Sequence, residues 1–162
     1  MSDRQDPVVF DPSGKSEPLV LQVRRCRPHA QLPRQARPGD AGLDLCAAQA
    51  CTLRPLQRKL IPTGVQVAIP AGFAGFVMPR SGNALRLGLS FPNTPGLIDS
   101  GYRGELQAIA INLDPETPLS IEVGDRIAQL VILPVPALTV CEVAELDETE
   151  RGAAGFGSSG MQ

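Results

Sequence analysis

The chain has 162 residues and is nearly neutral, with 15 Lys and Arg against 17 Asp and Glu, for a net charge of −2. This balance argues against a nucleic-acid groove, and no apolar run approaches the roughly 20 residues of a membrane span. The four cysteines form no CxxC pair and His29 is the only histidine, which argues against a zinc site and a His-dependent catalytic triad. We therefore expect one domain in the reducing cytoplasm, with its chemistry carried by Asp, Glu, Arg, Ser and the backbone.

Residues 1–18 are polar and interrupted by prolines, which predicts a disordered extension. Short β-prone runs follow, and the predicted strands are residues 19–23, 65–69, 73–78, 106–111, 119–123, 127–133 and 138–143. In residues 106–111 apolar side chains fall on both faces, so we expect both faces to be mostly covered. The 16 glycines and 16 prolines leave room for one short helical turn, at residues 83–87. The pattern predicts an all-β fold, a sandwich, jelly roll or small barrel.

The composition changes near the C-terminus. Residues 145–150 are acidic, and residues 151–160 contain four glycines and two serines. We therefore divide the chain into the extension, a β domain of residues 19–145 and a mobile tail of residues 146–162. Arg151 and Phe156 are not expected in a plain flexible linker. They suit a lid that closes on a phosphorylated ligand, because the arginine can pair with the negative charge of the ligand and the phenylalanine can stack on a base.

Residues 96–105 are the most informative part of the chain. They place Asp99 three residues before Tyr102, the only tyrosine, and include glycines at 96, 101 and 104. Two apolar residues lead into Asp99, so its carboxylate lies where protein begins to replace water, a position suited to a general base. A hairpin in which Asp99 caps the turn fits this stretch equally well.

Polar residues also interrupt apolar runs elsewhere. Asp44 needs a partner, which is a backbone amide, an arginine or a hydrated metal, and structural pairing and a metal-linked role both remain open. Asp40 is interpreted as a turn residue. Arg80 and Ser81 stand at the end of an apolar run, where they suit an anion site, although a helix-capping serine beside a solvated arginine fits as well.

Gln129 lies inside an apolar run, so its amide needs hydrogen-bond partners. Arg126 precedes it by three residues. A regular strand would point these two side chains to opposite faces. We therefore expect them to serve different tasks.

Taken together and in this order, five segments resemble the five motifs of the trimeric dUTPase (deoxyuridine triphosphate nucleotidohydrolase) family: residues 41–45, 79–82, 96–105, 124–130 and 151–160. The resemblance spans residue 19 to the C-terminus. It implies a jelly-roll subunit of a homotrimer, with each active site shared between subunits and closed by a neighbour's tail. It also implies hydrolysis of dUTP to dUMP and pyrophosphate with Mg²⁺ on the triphosphate, and no nucleic-acid or membrane partner.

The resemblance implies roles by position. Asp99 would be the general base that activates water for attack on the α-phosphorus, Tyr102 would exclude ribose, and Asp44 would orient waters on Mg²⁺. The residues implied to bind substrate are Asn93, Gly96, Leu97 and Ile98 at the uracil, Arg80, Ser81, Gly82 and Gln129 at the phosphates, and Arg151, Phe156, Gly157, Ser158 and Ser159 in the tail. Attack at phosphorus depends on positioning and charge neutralisation, which this set supplies.

Three positions depart from the family pattern. Ala154 stands where glycine is usual, Ser159 where threonine is usual and Asn83 where a small apolar residue is usual. Ser159 keeps the hydroxyl, and none of the three departures removes a residue assigned to chemistry. One alternative is a dCTP deaminase of the same trimeric fold, which would need a glutamate in the pyrimidine pocket, and Glu105 is displaced from that role. Another is a non-catalytic nucleotide-binding relative, whose mark would be loss of Asp99 or of the tail; both are present.

Overall fold

The computed structural model describes residues 19–155, so the expectations for residues 1–18 and for Phe156, Gly157, Ser158 and Ser159 lie outside the described residues. In chain order, the elements are β1 (Gln22–Arg25), β2 (Leu43–Cys46), β3 (Cys51–Leu53), β4 (Arg58–Ala68), β5 (Phe73–Pro79), α1 (Ser81–Leu87), β6 (Leu89–Ser90), β7 (Gly96–Ile98), β8 (Glu105–Asn112), β9 (Leu119–Ile121) and β10 (Arg126–Pro134). The predicted all-β fold with one short helix is confirmed. The helix is too short to cross a membrane, as is any other helical segment in this range.

The strands form a β-sandwich whose sheets do not close into a barrel. One sheet has the order β1-β4-β8-β6, the other β2-β10-β5-β7, and β3 pairs with β9. Period-two alternation turns one face of each strand inward. Ile61 and Leu106 from the first sheet share an apolar cluster with Leu45 and Leu130 from the second, and each is at most 1% exposed. The hydrophobic core therefore lies between the two sheets and joins them.

Strand β8 differs from expectation in one respect. Leu106, Ala108 and Ala110 are buried, but Ile109 on the opposite face is 40% exposed. The expectation that both faces are covered is therefore wrong for this chain. The reason is that the outer face of β8, including Gln107 and Ile109, forms one wall of an open cleft.

The prediction of a strand at residues 138–143 is also wrong. The last strand ends at Pro134, and Leu138 and Val140 are 85% and 95% exposed. A β-prone run becomes a strand only when another strand supplies its hydrogen bonds, and within the described range this run has none. At the other end, β1 begins at Gln22, three residues later than predicted.

The buried side chain of Asn112 joins three separate segments. Its amide donates to the carbonyls of Leu53 (3.2 Å) and Thr117 (2.8 Å), and its oxygen accepts from the N–H of Asp114 (2.9 Å). Asn112→Ala leaves these backbone groups without partners in a site that is 0% exposed. We expect the free energy of unfolding, measured by urea denaturation, to fall by about 2–4 kcal/mol. The control is Gln49→Ala at an exposed site. An unchanged urea midpoint for Asn112→Ala would contradict this role of the side chain.

Candidate active site

A cleft of about 370 Å³ opens beside the turn between β7 and β8; we call it the hairpin cleft. Its size falls within the range of small-molecule sites, about 300–1,000 Å³. All six residues predicted for the uracil, the sugar and the catalytic base lie in its lining: Asn93, Gly96, Leu97, Ile98, Asp99 and Tyr102. The Asn93 amide nitrogen lies so close to Gly96 that a Cβ there would stand 3.2 Å from it. The lining thus combines the Asn93 amide with other polar groups and with apolar side chains.

The turn that follows β7 holds Asp99 at the rim of the hairpin cleft. The N–H of Tyr102 donates to the main-chain carbonyl of Asp99 (3.0 Å), so the backbone closes the turn and the aspartate carboxylate is not its cap. Arg103 donates to the carbonyls of Ser100 (2.6 Å) and Tyr102 (2.8 Å), a contribution that the sequence analysis missed. Asp99 is exposed, and none of the salt bridges between described residues includes it. Its carboxylate can therefore contact water.

A second cleft, of about 450 Å³, lies where β2, β10 and the start of α1 meet; we call it the arginine cleft. The five residues predicted here all line it: Asp44, Arg80, Ser81, Gly82 and Gln129. Strand pairing explains their proximity, because β10 places Gln129 opposite Asp44 on one side and Ala128 opposite Pro79 on the other.

Asp44 is paired with two arginines. Its carboxylate is 8% exposed and lies 2.8 Å from Nε of Arg80 and 3.3 Å from Nη1 of Arg126. Structural pairing of Asp44 is thus observed, and Arg80 is paired with this carboxylate and is not a free, solvated side chain. Ser81 is the first residue of α1 and not its cap, which is Arg80, so the exposed Ser81 hydroxyl stays available. Arg86 and Asp40 also line the cleft, so three guanidinium groups against two carboxylates leave it with a net positive charge, as an anion site requires.

The expectation that Arg126 and Gln129 point to opposite faces is wrong. The register of β10 against β2 shifts between Arg126 and Ala128, and such a bulge turns a side chain to the other face. Both side chains consequently line the arginine cleft. The Gln129 amide donates to the carbonyl of Pro79 (3.0 Å), and its oxygen lies so close to Gly42 that an added Cβ would stand 2.5 Å away. A side chain at residue 42 would therefore displace the Gln129 amide, and glycine avoids this.

Asn83 and Ala154, two of the departures from the family pattern, take part in local hydrogen bonds. The Asn83 amide donates to the carbonyl of Arg126 (2.8 Å) and so ties α1 to β10. Ala154 closes a turn with Arg151: its N–H donates to the Arg151 carbonyl, and Nε of Arg151 donates to the Ala154 carbonyl, both at 3.1 Å. Arg151 is exposed and lines neither cleft.

The hairpin cleft and the arginine cleft have no lining residue in common. The structure thus brings Asp99 together with Asn93 and Tyr102, and it brings Asp44 together with Arg80 and Gln129. It does not bring the two groups together within the described part of one chain.

Glu105, in the wall of the hairpin cleft, belongs to a network that the sequence analysis missed. Its carboxylate accepts two hydrogen bonds from Arg27, Nε to Oε1 at 2.6 Å and Nη2 to Oε2 at 2.9 Å, and one from the N–H of Gly64 at 2.8 Å. We call this arrangement the Arg27–Glu105 clamp. The hydrogen bond from Arg27 is the main cause that lowers the pKa of Glu105. Because 78 residues separate the two partners, no local spacing could have revealed the pair.

The lowered pKa of Glu105 makes a prediction for stability against pH. Glu105 stabilises the fold above the pKa of an unfolded-state glutamate, about 4.3, and this contribution is lost as the pH falls through the lower folded-state pKa. The difference in free energy of unfolding between wild type and Glu105→Gln should therefore be constant near neutrality and shrink in acid. The N–H groups of Thr117 and Glu116 also lower the pKa of Asp114. Asp114 is present in both proteins, so its contribution to the pH dependence cancels in the difference. Urea midpoints between neutral pH and acid measure this difference; a constant difference would be inconsistent with an ionised, clamped Glu105.

The fold and its clefts define a β-sandwich protein with one cleft of small-molecule size and one cationic cleft. The sequence matches the dUTPase family model over residues 28–160. The deoxyuridine 5'-triphosphate nucleotidohydrolase of Leifsonia xyli subsp. xyli is 53% identical over 130 residues, 80% of this chain and 86% of that protein. The enzyme of the same name from Corynebacterium diphtheriae is 48% identical over 149 residues, 92% of this chain and 98% of that protein. This chain therefore belongs to the dUTPase family.

Solved structures agree. A variant of the Staphylococcus bacteriophage 80alpha dUTPase with dUpNHpp has a TM-score of 0.81 and 32% identity, covering 88% of this chain and 99% of that one. A variant of the dUTPase from phage phi11 of S. aureus, studied for the coordination of a structural Mg(II) ion, has a TM-score of 0.74 and 29% identity, covering 80% and 99%.

Proposed function

We propose that this chain hydrolyses dUTP to dUMP and pyrophosphate, which limits uracil incorporation into DNA and supplies dUMP for dTMP synthesis. The observation that carries the proposal is the hairpin cleft, in which an exposed carboxylate, Asp99, stands at the rim of a pocket that also holds an amide, Asn93, and the only tyrosine, Tyr102. The relatives named for this reaction support it. We place the protein in the cytoplasm because its four cysteines are free thiols.

The hairpin cleft offers the groups that a deoxyuridine needs. A uracil edge carries one N–H between two carbonyls, and the Asn93 amide with the backbone of Gly96, Leu97 and Ile98 can supply complementary donors and acceptors. The Tyr102 ring then lies as a floor beneath the deoxyribose. A floor at that height leaves no room for a 2'-hydroxyl, which excludes UTP by steric conflict.

Asp99 is the proposed general base. It takes a proton from a water molecule whose oxygen attacks the α-phosphorus, while the bond between that phosphorus and the bridging oxygen breaks and pyrophosphate leaves. The exposed position at the rim of the cleft allows a water to bind between the carboxylate and the substrate. The protein contributes position and charge, and the nucleophile is the water.

The arginine cleft is the proposed triphosphate site. Arg80 provides a guanidinium group, Ser81 a hydroxyl, Gly82 close approach of the backbone and Gln129 an amide. The neighbouring Arg126 adds to the positive charge. Together these groups offset the charge of the triphosphate and of the leaving pyrophosphate.

The proposed metal is Mg²⁺. Within residues 19–155 there is no cluster of three or more His, Cys, Asp or Glu side chains that would form a protein cage for an ion. This fits a metal held mainly by phosphate oxygens and water, which Mg²⁺ prefers. Both Asp44 oxygens face arginines and each retains capacity for a further hydrogen bond, so Asp44 suits contact with metal-bound water. When bound, the ion neutralises charge on the triphosphate.

We propose a homotrimer whose active sites are each assembled from different chains. The division of the predicted site residues between two clefts in the described part of the chain supports this. Exposed apolar side chains beyond β10 also support it: Leu138 is 85%, Val140 95% and Leu146 87% exposed, and a surface of this kind is typical of association. The tail that carries Arg151, Phe156, Gly157, Ser158 and Ser159 then closes a neighbour's site, with Arg151 at the γ-phosphate and Phe156 over the uracil.

A panel of dUTP, UTP, dTTP and dCTP, scored for pyrophosphate release with Mg²⁺, tests the function. We expect release from dUTP alone; equal release from UTP would contradict the steric floor, and no release from dUTP would refute the function. Ammonia from dCTP would instead support a deaminase. A deaminase needs a glutamate that exchanges protons at the ring, and the clamp keeps Glu105 ionised and engaged.

A further inference from the structure

The position of the Tyr102 ring depends on the two residues that follow it in the turn. The ring folds back over Gly104, where an added Cβ would collide with the ring and its hydroxyl. The hydroxyl donates to the main-chain carbonyl of Glu105 at 3.1 Å. The ring is 45% exposed and faces the hairpin cleft. Any movement of the backbone at residues 104–105 therefore moves the ring.

The side chain of Glu105 fixes that backbone. Its carboxylate, 14% exposed, is held in two-point contact by Arg27, which lies just beyond β1. It also accepts the N–H of Gly64, within the irregular part of β4 where the pairing with β8 shifts register. The carbonyl of Gly64 in turn accepts from the N–H of Cys26 at 2.8 Å. One carboxylate thus ties β8 to β4 and to the chain after β1.

We infer that Arg27 and Glu105 are positioning residues that hold the Tyr102 ring at the height where it excludes a ribose 2'-hydroxyl. The inference deepens the proposed function and rests on it. Neither Arg27 nor the Glu105 carboxylate needs to touch the substrate. They act through the Glu105 carbonyl, which receives the tyrosine hydroxyl.

The Tyr102 ring discriminates dUTP from UTP by steric exclusion only while the ring keeps its position. The difference between a deoxyribose and a ribose is a single oxygen, so a shift of about 1 Å in the ring removes much of the conflict. A two-point contact between a guanidinium and a carboxylate fixes orientation as well as distance. Loss of that contact frees the first residues of β8 while most of its pairing with β4 remains.

The test compares kcat/KM for dUTP and for UTP in wild type, Arg27→Met and Glu105→Gln. We expect the preference for dUTP to fall by about tenfold in both variants, mainly because UTP is used better. Arg27→Lys keeps the charge without the planar two-point contact and should fall between wild type and Arg27→Met. Arg24→Met, an exposed arginine in β1 that forms none of the salt bridges between described residues, is the matched control and should keep the wild-type ratio.

A second readout does not depend on turnover. The chain has one tyrosine and no tryptophan, so its tyrosine emission reports on Tyr102 alone. The fluorescence of a tyrosine is quenched when its hydroxyl donates a hydrogen bond to a peptide carbonyl. We therefore expect the emission of nucleotide-free Arg27→Met to rise, while that of Arg24→Met stays at the wild-type level. Folded Arg27 variants with wild-type emission and an unchanged dUTP-to-UTP ratio would overturn the inference. If wild type releases no pyrophosphate from dUTP, the proposed function fails, and the emission still decides whether the clamp positions the ring.

Discussion

Asp99→Asn should lower the turnover of dUTP by about 10²–10⁴-fold, the usual contribution of a general base. The asparagine amide has nearly the shape of the carboxylate but does not accept a proton from water. Binding should persist, because Asp99 is exposed and none of the salt bridges in the described part of the chain depends on it. Loss of one negative charge beside a triphosphate also favours binding.

Single-turnover pyrophosphate release and the Kd for a non-hydrolysable dUTP analogue separate these two effects. Glu116→Gln is the matched control, since Glu116 is an exposed carboxylate that lines neither cleft. It should keep wild-type turnover. Wild-type turnover in Asp99→Asn would remove Asp99 from the chemistry, and equal losses of binding and turnover would make it a substrate-binding residue instead.

Removal of residues 151–162 should lower turnover by roughly a hundredfold, because a lid both orders the triphosphate and excludes water. The fold should survive. Residues 151–155 are exposed and contribute nothing to the apolar core, so the urea midpoint should stay at the wild-type value.

The matched control is removal of residues 1–18, which the family resemblance does not cover. That deletion should leave turnover unchanged. A chain without residues 151–162 that hydrolyses dUTP at the wild-type rate would show that the tail has no part in catalysis.

Local sequence patterns predicted six of the ten strands and missed β2, β3, β6, β7 and the first seven residues of β4. Period-two alternation located the end of β4 through Val65 and Val67, and Gly and Pro marked the ends of most of the predicted strands. The run at residues 138–143 shows the limit of this reasoning: Leu138 and Val140 have strand propensity, but a strand also needs a partner, and no property of the run itself tells whether one is present.

The candidate site was predictable where its residues lie in short motifs. Asp99 and Tyr102 lie in one turn, and Ser81 lies two residues before the predicted helical turn. Contacts between distant segments were not predictable: Arg126 reaches Asp44 across 82 residues, and a bulge in β10 reverses the face that simple alternation gives it. The Arg27–Glu105 clamp was not predicted for the same reason, since its parts come together only through the pairing of β4 with both β1 and β8.

We propose that each active site combines Asp99 of one chain with the tail of another. Asp99→Asn and the chain without residues 151–162, both nearly inactive alone, can be mixed in urea, refolded together and assayed for pyrophosphate release from dUTP. Random assembly gives about a quarter of the sites an intact Asp99 and an intact tail from different chains, so the mixture should recover roughly a quarter of wild-type activity. Activity no greater than the mean of the two separate variants would contradict a site shared between subunits.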